Sequence, residues 1–196
     1  MAKGATLVGF EEVEVGIFDA AGSKTLETFV WKDEDGGTIK LGISGLEPDE
    51  VKMRASNKNV WVSKRGTSDV KTSFETFNPP LEELDKVLGA VADSNGISWV
   101  GDDTEAPYVS MICKSSDIFG NPVYLGLVKG KMGLDSIDLN TTEEKDKEPE
   151  STKLTGSWIS REIEGESRIY GRAVTPEQYT ALRNTIFPGL TEPSAL

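Results

Sequence analysis

Carboxylates are the residues of this sequence that are numerous enough to suggest acid–base catalysis. Asp102, Asp103 and Glu105 lie in one loop-forming stretch, and glycoside hydrolysis needs two suitably spaced carboxylates. The chain holds 33 acidic residues, so such groups also arise by chance. A glycosidase that uses only acids is therefore one hypothesis, and loss of hydrolysis after replacement of a single acid would identify it.

Two other kinds of site, a calcium loop and a phosphate loop, are not supported by the sequence. The acidic turn at residues 33–37 suggests calcium, but an EF-type loop needs Gly at its sixth position and an acid at its twelfth. Counted from Asp33, these positions hold Thr38 and Ser44. The glycines and lysines of residues 126–133 lack the phosphate-loop spacing, and we predict a sheet turn at Gly130 instead.

Nucleophilic catalysis has little support in the composition. The chain has no histidine, which removes Ser-His-Asp and Cys-His arrangements. The single cysteine, Cys113, ends an apolar run and is predicted to be a small buried hydrophobe. We therefore predict no catalytic residue, no cofactor and no metal ligand, and we expect that the protein is not an enzyme.

Length and charge restrict the remaining functions. A chain of 196 residues can bury enough surface to fold as one domain without disulfides or metals. Its formal charge of −12 argues against nucleic-acid binding, which needs clustered cations. No segment approaches the ~20 apolar residues of a membrane span, and none resembles a signal peptide. We expect a soluble protein in a reducing compartment, without a membrane partner.

The hydrophobic pattern predicts a protein that is mainly β with one or two helices. Residues 12–18 alternate, which places Val13, Val15 and Ile17 on one face of a half-buried strand. Further strand-like segments follow at short, even spacing, which is typical of an antiparallel β-sandwich or barrel. We predict a single domain over residues 1–196, with a mobile arm at 1–10, a mobile loop at 141–150 and a mobile tail at 187–196.

Two helices are predicted to flank the sheet. The first covers residues 78–91, with Asn78 as its cap and an apolar face that we expect to lie on the sheet: Leu81, Leu84, Val87, Leu88 and Val91. The second covers residues 175–186, with Thr175 as cap and Pro176 at its first position.

One basic cluster interrupts the acidic sequence. Residues 51–65 form either a hairpin or a helical turn that leads into a strand, and they gather Lys52, Arg54, Lys58, Lys64 and Arg65. Such a cluster favours docking on an acidic surface, including that of another copy, although a solvated loop has the same composition. The four tryptophans are either core anchors or, in part, exposed contacts for a sugar or a protein, and we expect at least half of them in the core.

A series of short motifs resembles the major tail protein, or tail-tube protein, family of long non-contractile tailed bacteriophages of Gram-positive hosts. The motifs occur in family order and cover most of residues 31–158: WKDEDGGT at 31–38, ISGLEPD at 43–49, ASNKNVW at 55–61, GISWVG at 96–101, APYV at 106–109, PVY at 122–124, LDSI at 134–137 and KLTGSW at 153–158.

The resemblance implies a structural virion protein. In this family a β-sandwich or barrel with a flanking helix forms hexameric rings, which stack into a tube that conducts DNA during ejection. The implied partners are other copies, a tape-measure protein and tail-end proteins, with DNA passing unbound. The implied location is the virion tail, after synthesis in the host bacterial cytoplasm.

The resemblance also implies where subunits touch. It maps residues 44–67 to a loop that reaches neighbouring copies and so predicts inter-subunit contacts at Lys52, Arg54, Asn57, Lys58, Trp61, Lys64 and Arg65. A β-sandwich carbohydrate-binding or adhesion module remains the alternative, and it would stay monomeric and bind glycans through exposed tryptophans.

Overall fold

The computed structural model describes residues 6–137 and 150–190 and is mainly β with antiparallel pairing and two helices, as the sequence predicts. In chain order the elements are β1 (Leu7–Phe18), β2 (Thr25–Trp31), β3 (Gly37–Ser44), β4 (Glu50–Ala55), β5 (Lys58–Lys64), β6 (Val70–Phe77), α1 (Leu81–Leu88), β7 (Val91–Ala92), β8 (Ser98–Trp99), β9 (Val109–Asp117), β10 (Pro122–Ser136), β11 (Thr152–Ile159), β12 (Arg161–Ile163), β13 (Glu166–Arg168), β14 (Tyr170–Ala173) and α2 (Pro176–Ile186).

One large sheet has the strand order β2-β1-β9-β10-β11-β6-β3, and β14 pairs with β10 as its eighth strand. The 15-residue β10 pairs with β9 and β14 over its first half and with β11 over its second half. The turn predicted at Gly130 is therefore wrong. Gly130 lies inside β10, where an added Cβ would come within 2.6 Å of both the Ser157 carbonyl oxygen and the Trp158 ring, so glycine permits close packing rather than a turn.

The sheet curls until its two sides approach each other. The Thr38 hydroxyl of β3 donates a 2.5 Å hydrogen bond to the Phe10 carbonyl oxygen of β1. The curl encloses the main core, to which the strands contribute alternate residues, among them Val13, Val15, Trp31, Phe74, Met111, Leu154 and Trp158. The prediction that Val13, Val15 and Ile17 share a buried face is confirmed, since all three lie in this core. The strand is not half-buried as predicted, because Glu14 and Gly16, which point to its other face, are buried as well.

Helix α1 is shorter than predicted and differs at both ends. Pro80 is its N-cap, with no capping side-chain hydrogen bond, and Asn78 instead adopts a positive φ of 47° in the preceding turn, so Asn78 is not the cap. Gly89 ends the helix in the left-handed conformation. Only Leu84 and Val87 of the predicted apolar face are buried in α1, and Val91 lies in β7 with 72% of its surface exposed.

Helix α2 covers the opposite face of the sheet and agrees with prediction. The Thr175 hydroxyl accepts a hydrogen bond from the Gln178 backbone N–H, and Pro176 begins the helix. A second core forms beneath it, with Ile112, Val128, Ile186 and Phe187 buried and Tyr124, Tyr179 and Leu182 packed around them.

A buried ion pair joins α2 to β1. Arg183 Nη2 lies 2.5 Å from Glu14 Oε1, and Arg183 Nε lies 3.0 Å from Glu14 Oε2. The two side chains are only 5% and 9% exposed. The hydrogen bonds to Glu14 raise the pKa of Arg183. The pair is a direct polar link between α2 and β1.

The segments predicted as mobile lie partly outside the described residues. Residues 1–5, 138–149 and 191–196 are not described. Residues 7–10, assigned to the arm, belong to β1, where Leu7 and Val8 pair with Asp117 and Ser116. Phe187, assigned to the tail, is buried under α2. Among the described residues, no helix has the length and apolar character needed to cross a membrane.

Candidate assembly surfaces

Strands β4 and β5 form an isolated two-stranded hairpin, which settles the alternatives left open for residues 51–65. Ser56 and Asn57 form its two-residue turn with positive φ values of 50° and 63°, as a type I′ turn requires. Every residue of β4 is exposed, and so is every residue of β5 except the half-buried Ser63. An isolated hairpin of this kind is only marginally stable in water.

The two faces of the hairpin differ in character. Val51 pairs with Ser63, and Met53 pairs with Trp61, and directly opposed residues point to the same face. That apolar face is uncovered, since Val51, Met53 and Trp61 are 61%, 62% and 53% exposed. The opposite face carries Lys52 and Arg54 together with the exposed Val62, which pairs with Lys52, because successive residues of a strand alternate between its faces.

The hairpin concentrates positive charge. Residues 50–65 hold five cations and one acid in a chain whose formal charge is −12. Lys52 pairs with Glu50 at 2.6 Å, and Lys64 pairs with Glu47 at 2.6 Å, an interaction that raises the pKa of Lys64. In residues 6–137 and 150–190, no ion pair is recorded for Arg54, Lys58 or Arg65. These three cations are available to an acidic partner.

The structure brings the seven predicted contact residues together in or beside this hairpin. Asn57 lies in its turn and Trp61 on its apolar face. Lys52, Arg54, Lys58 and Lys64 lie on its strands, and Arg65 directly follows β5. The geometry places them on one hairpin, spread over both of its faces, whereas their role in contacts between subunits stays a prediction.

A second exposed apolar surface was not predicted from the sequence. We call it the α1–β8 patch, and its exposed apolar members are Leu81, Val91, Ile97, Trp99 and Val100, all between 49% and 75% exposed. It joins the start of α1 to the small β7–β8 hairpin. The sequence analysis missed it because Val91 was assigned to a helix and residues 97–100 to a strand of the sheet. The motif GISWVG, which mixes apolar residues with turn residues, was the available signal.

Hydrogen bonds hold the α1–β8 patch in a defined shape. The Asp93 carboxylate accepts hydrogen bonds from the backbone N–H groups of Asn95 and Ile97 at 2.8 and 3.0 Å, and from Trp99 Nε1 at 3.1 Å. These bonds, the one from Ile97 first, lower the pKa of Asp93, which therefore stays ionised. The Ser98 hydroxyl donates to Asp85 of α1, so the β7–β8 hairpin is tied to the helix.

The patch is acidic. Residues 81–105 contain seven acids and one lysine. Asp102 and Asp103 are exposed at its border, and among the described residues no ion pair is recorded for either. The β4–β5 hairpin and the α1–β8 patch thus each expose apolar side chains, and they carry opposite charges.

The structure separates the three acids considered for carboxylate chemistry, because Glu105 lines a cleft and Asp102 and Asp103 do not line it. Glu105 lines a cleft of about 320 Å³ together with Asp19 and Lys131. A hydrogen bond from Lys131 lowers the pKa of Glu105, and one from the Ser23 backbone lowers the pKa of Asp19. A glycosidase needs one carboxyl group with a raised pKa as general acid, and neither of these has it.

Other sequence predictions about reactive residues can be compared with the structure. Cys113 is buried in the main core, as predicted, and burial raises the pKa of its thiol. Within the described residues, no group of acids, cysteines or histidines has a metal-binding arrangement. Trp31 and Trp158 are buried, whereas Trp61 and Trp99 are exposed, so half of the tryptophans lie in the core as expected.

The fold and these surfaces define a class of antiparallel β module with a separate, exposed hairpin. A family model described as phage tail tube protein matches residues 5–195. The chain therefore belongs to the phage tail tube protein family, and its expected role as a structural protein of a viral tail is confirmed at that level.

Two further comparisons add little. A chain in the cryo-EM structure of the anti-feeding prophage baseplate, six-fold symmetrised, aligns with a TM-score of 0.38 and 9% identity, covering 88% of this chain and 97% of that chain. This likeness is too low to support an argument. The comparison with curated proteins gives no match.

Proposed function

We propose that this protein assembles into hexameric rings that stack into the tail tube of a phage, and that the acidic channel conducts DNA during ejection. The observation that supports this proposal is the β4–β5 hairpin, whose apolar face is uncovered in the isolated chain. A subunit built to remain alone would not expose such a face on a marginally stable element.

The free energy available from this face is sufficient for association. Full burial of a large apolar side chain contributes ~1.5–3 kcal/mol. Val51, Met53 and Trp61 are each rather more than half exposed, so covering all three contributes roughly 3–5 kcal/mol per hairpin. In a closed ring of six copies this contact occurs once per hairpin, six times in all, and the summed gain is reduced by the entropic cost of association.

The net charge supports a channel to which DNA does not bind. Six copies at −12 each carry a formal charge of −72 per ring. Acids that face the channel repel the DNA phosphates, within a Debye length of ~8 Å at physiological salt. Assembled tubes whose channel acids are replaced by lysine should therefore eject DNA more slowly, and unchanged ejection kinetics would contradict this part of the proposal.

The finer assignments rest on the motif resemblance. We propose a long non-contractile tail, a Gram-positive host, synthesis in the host cytoplasm, and contacts with a tape-measure protein and tail-end proteins. Within the tube, the hairpin residues Lys52, Arg54, Asn57, Lys58, Trp61, Lys64 and Arg65 contact a neighbouring copy.

Electron microscopy of concentrated protein tests the proposal. Negative-stain images and light scattering after gel filtration, recorded over a hundredfold range of concentration, should give rings or tubes at the upper end. Solitary particles at every concentration would refute the proposal. A monomer that binds glycans and loses this binding after Trp61→Ala would instead favour a carbohydrate-binding module, a reading that the exposure of Trp61 and Trp99 makes specific.

A further inference from the structure

The β4–β5 hairpin and the α1–β8 patch are complementary surfaces of the same chain. Five cations and one acid give residues 50–65 a formal charge of +4, and seven acids and one lysine give residues 81–105 a formal charge of −6. Each surface also exposes a tryptophan among aliphatic side chains, Trp61 on the hairpin and Trp99 on the patch. Tryptophan is enriched at the centres of protein interfaces.

The two surfaces do not cover each other within one chain. Trp61 and Trp99 are 53% and 61% exposed, and the apolar residues around each are exposed as well. Like surfaces cannot pair either, because two basic hairpins or two acidic patches would place equal charges opposite one another, which costs several kcal/mol at an interface. The partner that fits both surfaces is a second copy of this chain. The hairpin of one copy then lies on the α1–β8 patch of the other.

We propose that the β4–β5 hairpin of one subunit docks on the α1–β8 patch of the next, so that the hairpin tip, which Arg54 and Lys58 flank, lies against Asp102 and Asp103. The proposal rests on the assembly proposed above and names the surface that receives the hairpin. Hairpin and patch are different parts of the chain, so each copy both donates and receives. Such a heterologous contact closes into a ring or continues as a filament.

The patch is suited to receive a ribbon because its shape is already fixed. The Asp93 carboxylate holds the β7–β8 turn and the Trp99 ring through three hydrogen bonds. Ser98 ties this hairpin to α1. A preorganised receptor loses less conformational freedom on binding, which leaves the ordering of the hairpin as the main cost.

Charge reversal tests the pairing with two variants. Arg54→Glu/Lys58→Glu reverses the tip of the hairpin, and Asp102→Lys/Asp103→Lys reverses the border of the patch. All four side chains are exposed, so circular dichroism and thermal melting should match those of the unaltered protein. Each variant alone should raise the critical concentration for assembly about 100-fold, because equal charges then face each other across the contact.

Mixing the two variants gives the decisive result. In an equimolar mixture, the acidic hairpin of the first variant can dock on the lysine-bearing patch of the second. The unaltered hairpin of the second variant can dock on the unaltered patch of the first. A ring in which the two variants alternate strictly therefore restores every contact. Assembly in the mixture at the original concentration is expected. If both variants assemble normally alone, or the mixture stays unassembled, the pairing is refuted.

Matched controls separate the pairing from general charge effects. Lys71→Glu/Lys153→Glu and Asp135→Lys/Glu162→Lys make the same net changes at exposed positions of the main sheet and the β12 strand, and both should assemble like the unaltered protein. Failure of the unaltered protein to assemble would refute the proposed function itself. Normal assembly of that protein with no rescue in the mixture would refute only the pairing.

Engineered cysteines give an independent readout. The chain has one cysteine, and Cys113 is buried in the core, so it does not compete. A mixture of Asn57→Cys and Asp102→Cys proteins under mild oxidation should form disulfide-linked dimers containing one of each. Linkage of each variant only to itself would refute the docking.

Discussion

The buried pair between Glu14 and Arg183 gives the most quantitative prediction about the fold. Replacing Arg183 with Met removes bonds of 2.5 and 3.0 Å and leaves the Glu14 carboxylate without its cation in a site where that side chain is only 9% exposed. Breaking such a buried pair from one side typically costs ~3–5 kcal/mol. For a chain of this length each kcal/mol corresponds to ~2–4 °C in Tm, so we expect Tm to fall by roughly 6–20 °C.

Urea denaturation and scanning calorimetry at low micromolar concentration measure this change. Two protein concentrations should be compared to exclude a contribution from assembly. The matched control is Lys86→Met, which breaks the surface pair with Glu27, whose partners are 48% and 45% exposed. Surface pairs contribute ~0–1 kcal/mol, so the control should change Tm only slightly.

A double variant identifies the cause of the loss. Glu14→Leu/Arg183→Met removes both charges and should recover most of the stability, because an apolar pair of similar volume is often as stable as a buried ion pair. If Arg183→Met destabilises no more than Lys86→Met, the pair does not hold α2 to the sheet. If the double variant is as unstable as Arg183→Met, lost packing over Phe187 rather than uncompensated charge explains the effect.

Three further predictions address assembly, packing and reactivity. Trp61→Ser should raise the critical concentration for assembly about 30- to 150-fold, because covering the exposed 53% of that side chain contributes about 2–3 kcal/mol. Sedimentation measures the critical concentration, and an unchanged value would contradict the role of the hairpin. Gly130→Ala should lower the free energy of unfolding by ~1–3 kcal/mol, since its Cβ would meet Ser157 and Trp158 at 2.6 Å; an unchanged urea midpoint would show that the strand can shift. Cys113 should resist alkylation at pH 8 in the folded protein and react in guanidinium, because burial raises its thiol pKa; complete labelling of folded protein, read by mass spectrometry, would show that the core opens.

The sequence predicts those parts of the fold whose signal is local. Alternation in residues 12–18 places Val13 and Val15 on the same face, and that face lies in the core, because successive side chains of a strand point to opposite faces. Thr175 and Pro176 mark the start of α2 because capping depends on neighbours within one turn. The basic cluster is also recognisable, since its five cations lie within residues 52–65, although the sequence left a hairpin and a helical turn as alternatives there.

Features that depend on distant contacts escape such reasoning. A glycine such as Gly130 is typical of a turn in the sequence. Its place inside a strand is explained only by the Trp158 ring of a neighbouring strand, which leaves no room for a side chain. Val91 continues the helical spacing of α1, but Gly89 ends the helix first. The approach of β3 to β1 follows from the curl of the whole sheet, which no local pattern encodes.

The position of β10 has a mechanical consequence. Three strands are bonded along its 15 residues, β9 on one side and β14 followed by β11 on the other. Tension along β10 would load many of its backbone hydrogen bonds at the same time. Tension on the β4–β5 hairpin would instead open its few hydrogen bonds one after another. When a tube is stretched, the hairpin contacts between neighbouring subunits should therefore open first, while the main sheet of each subunit stays folded.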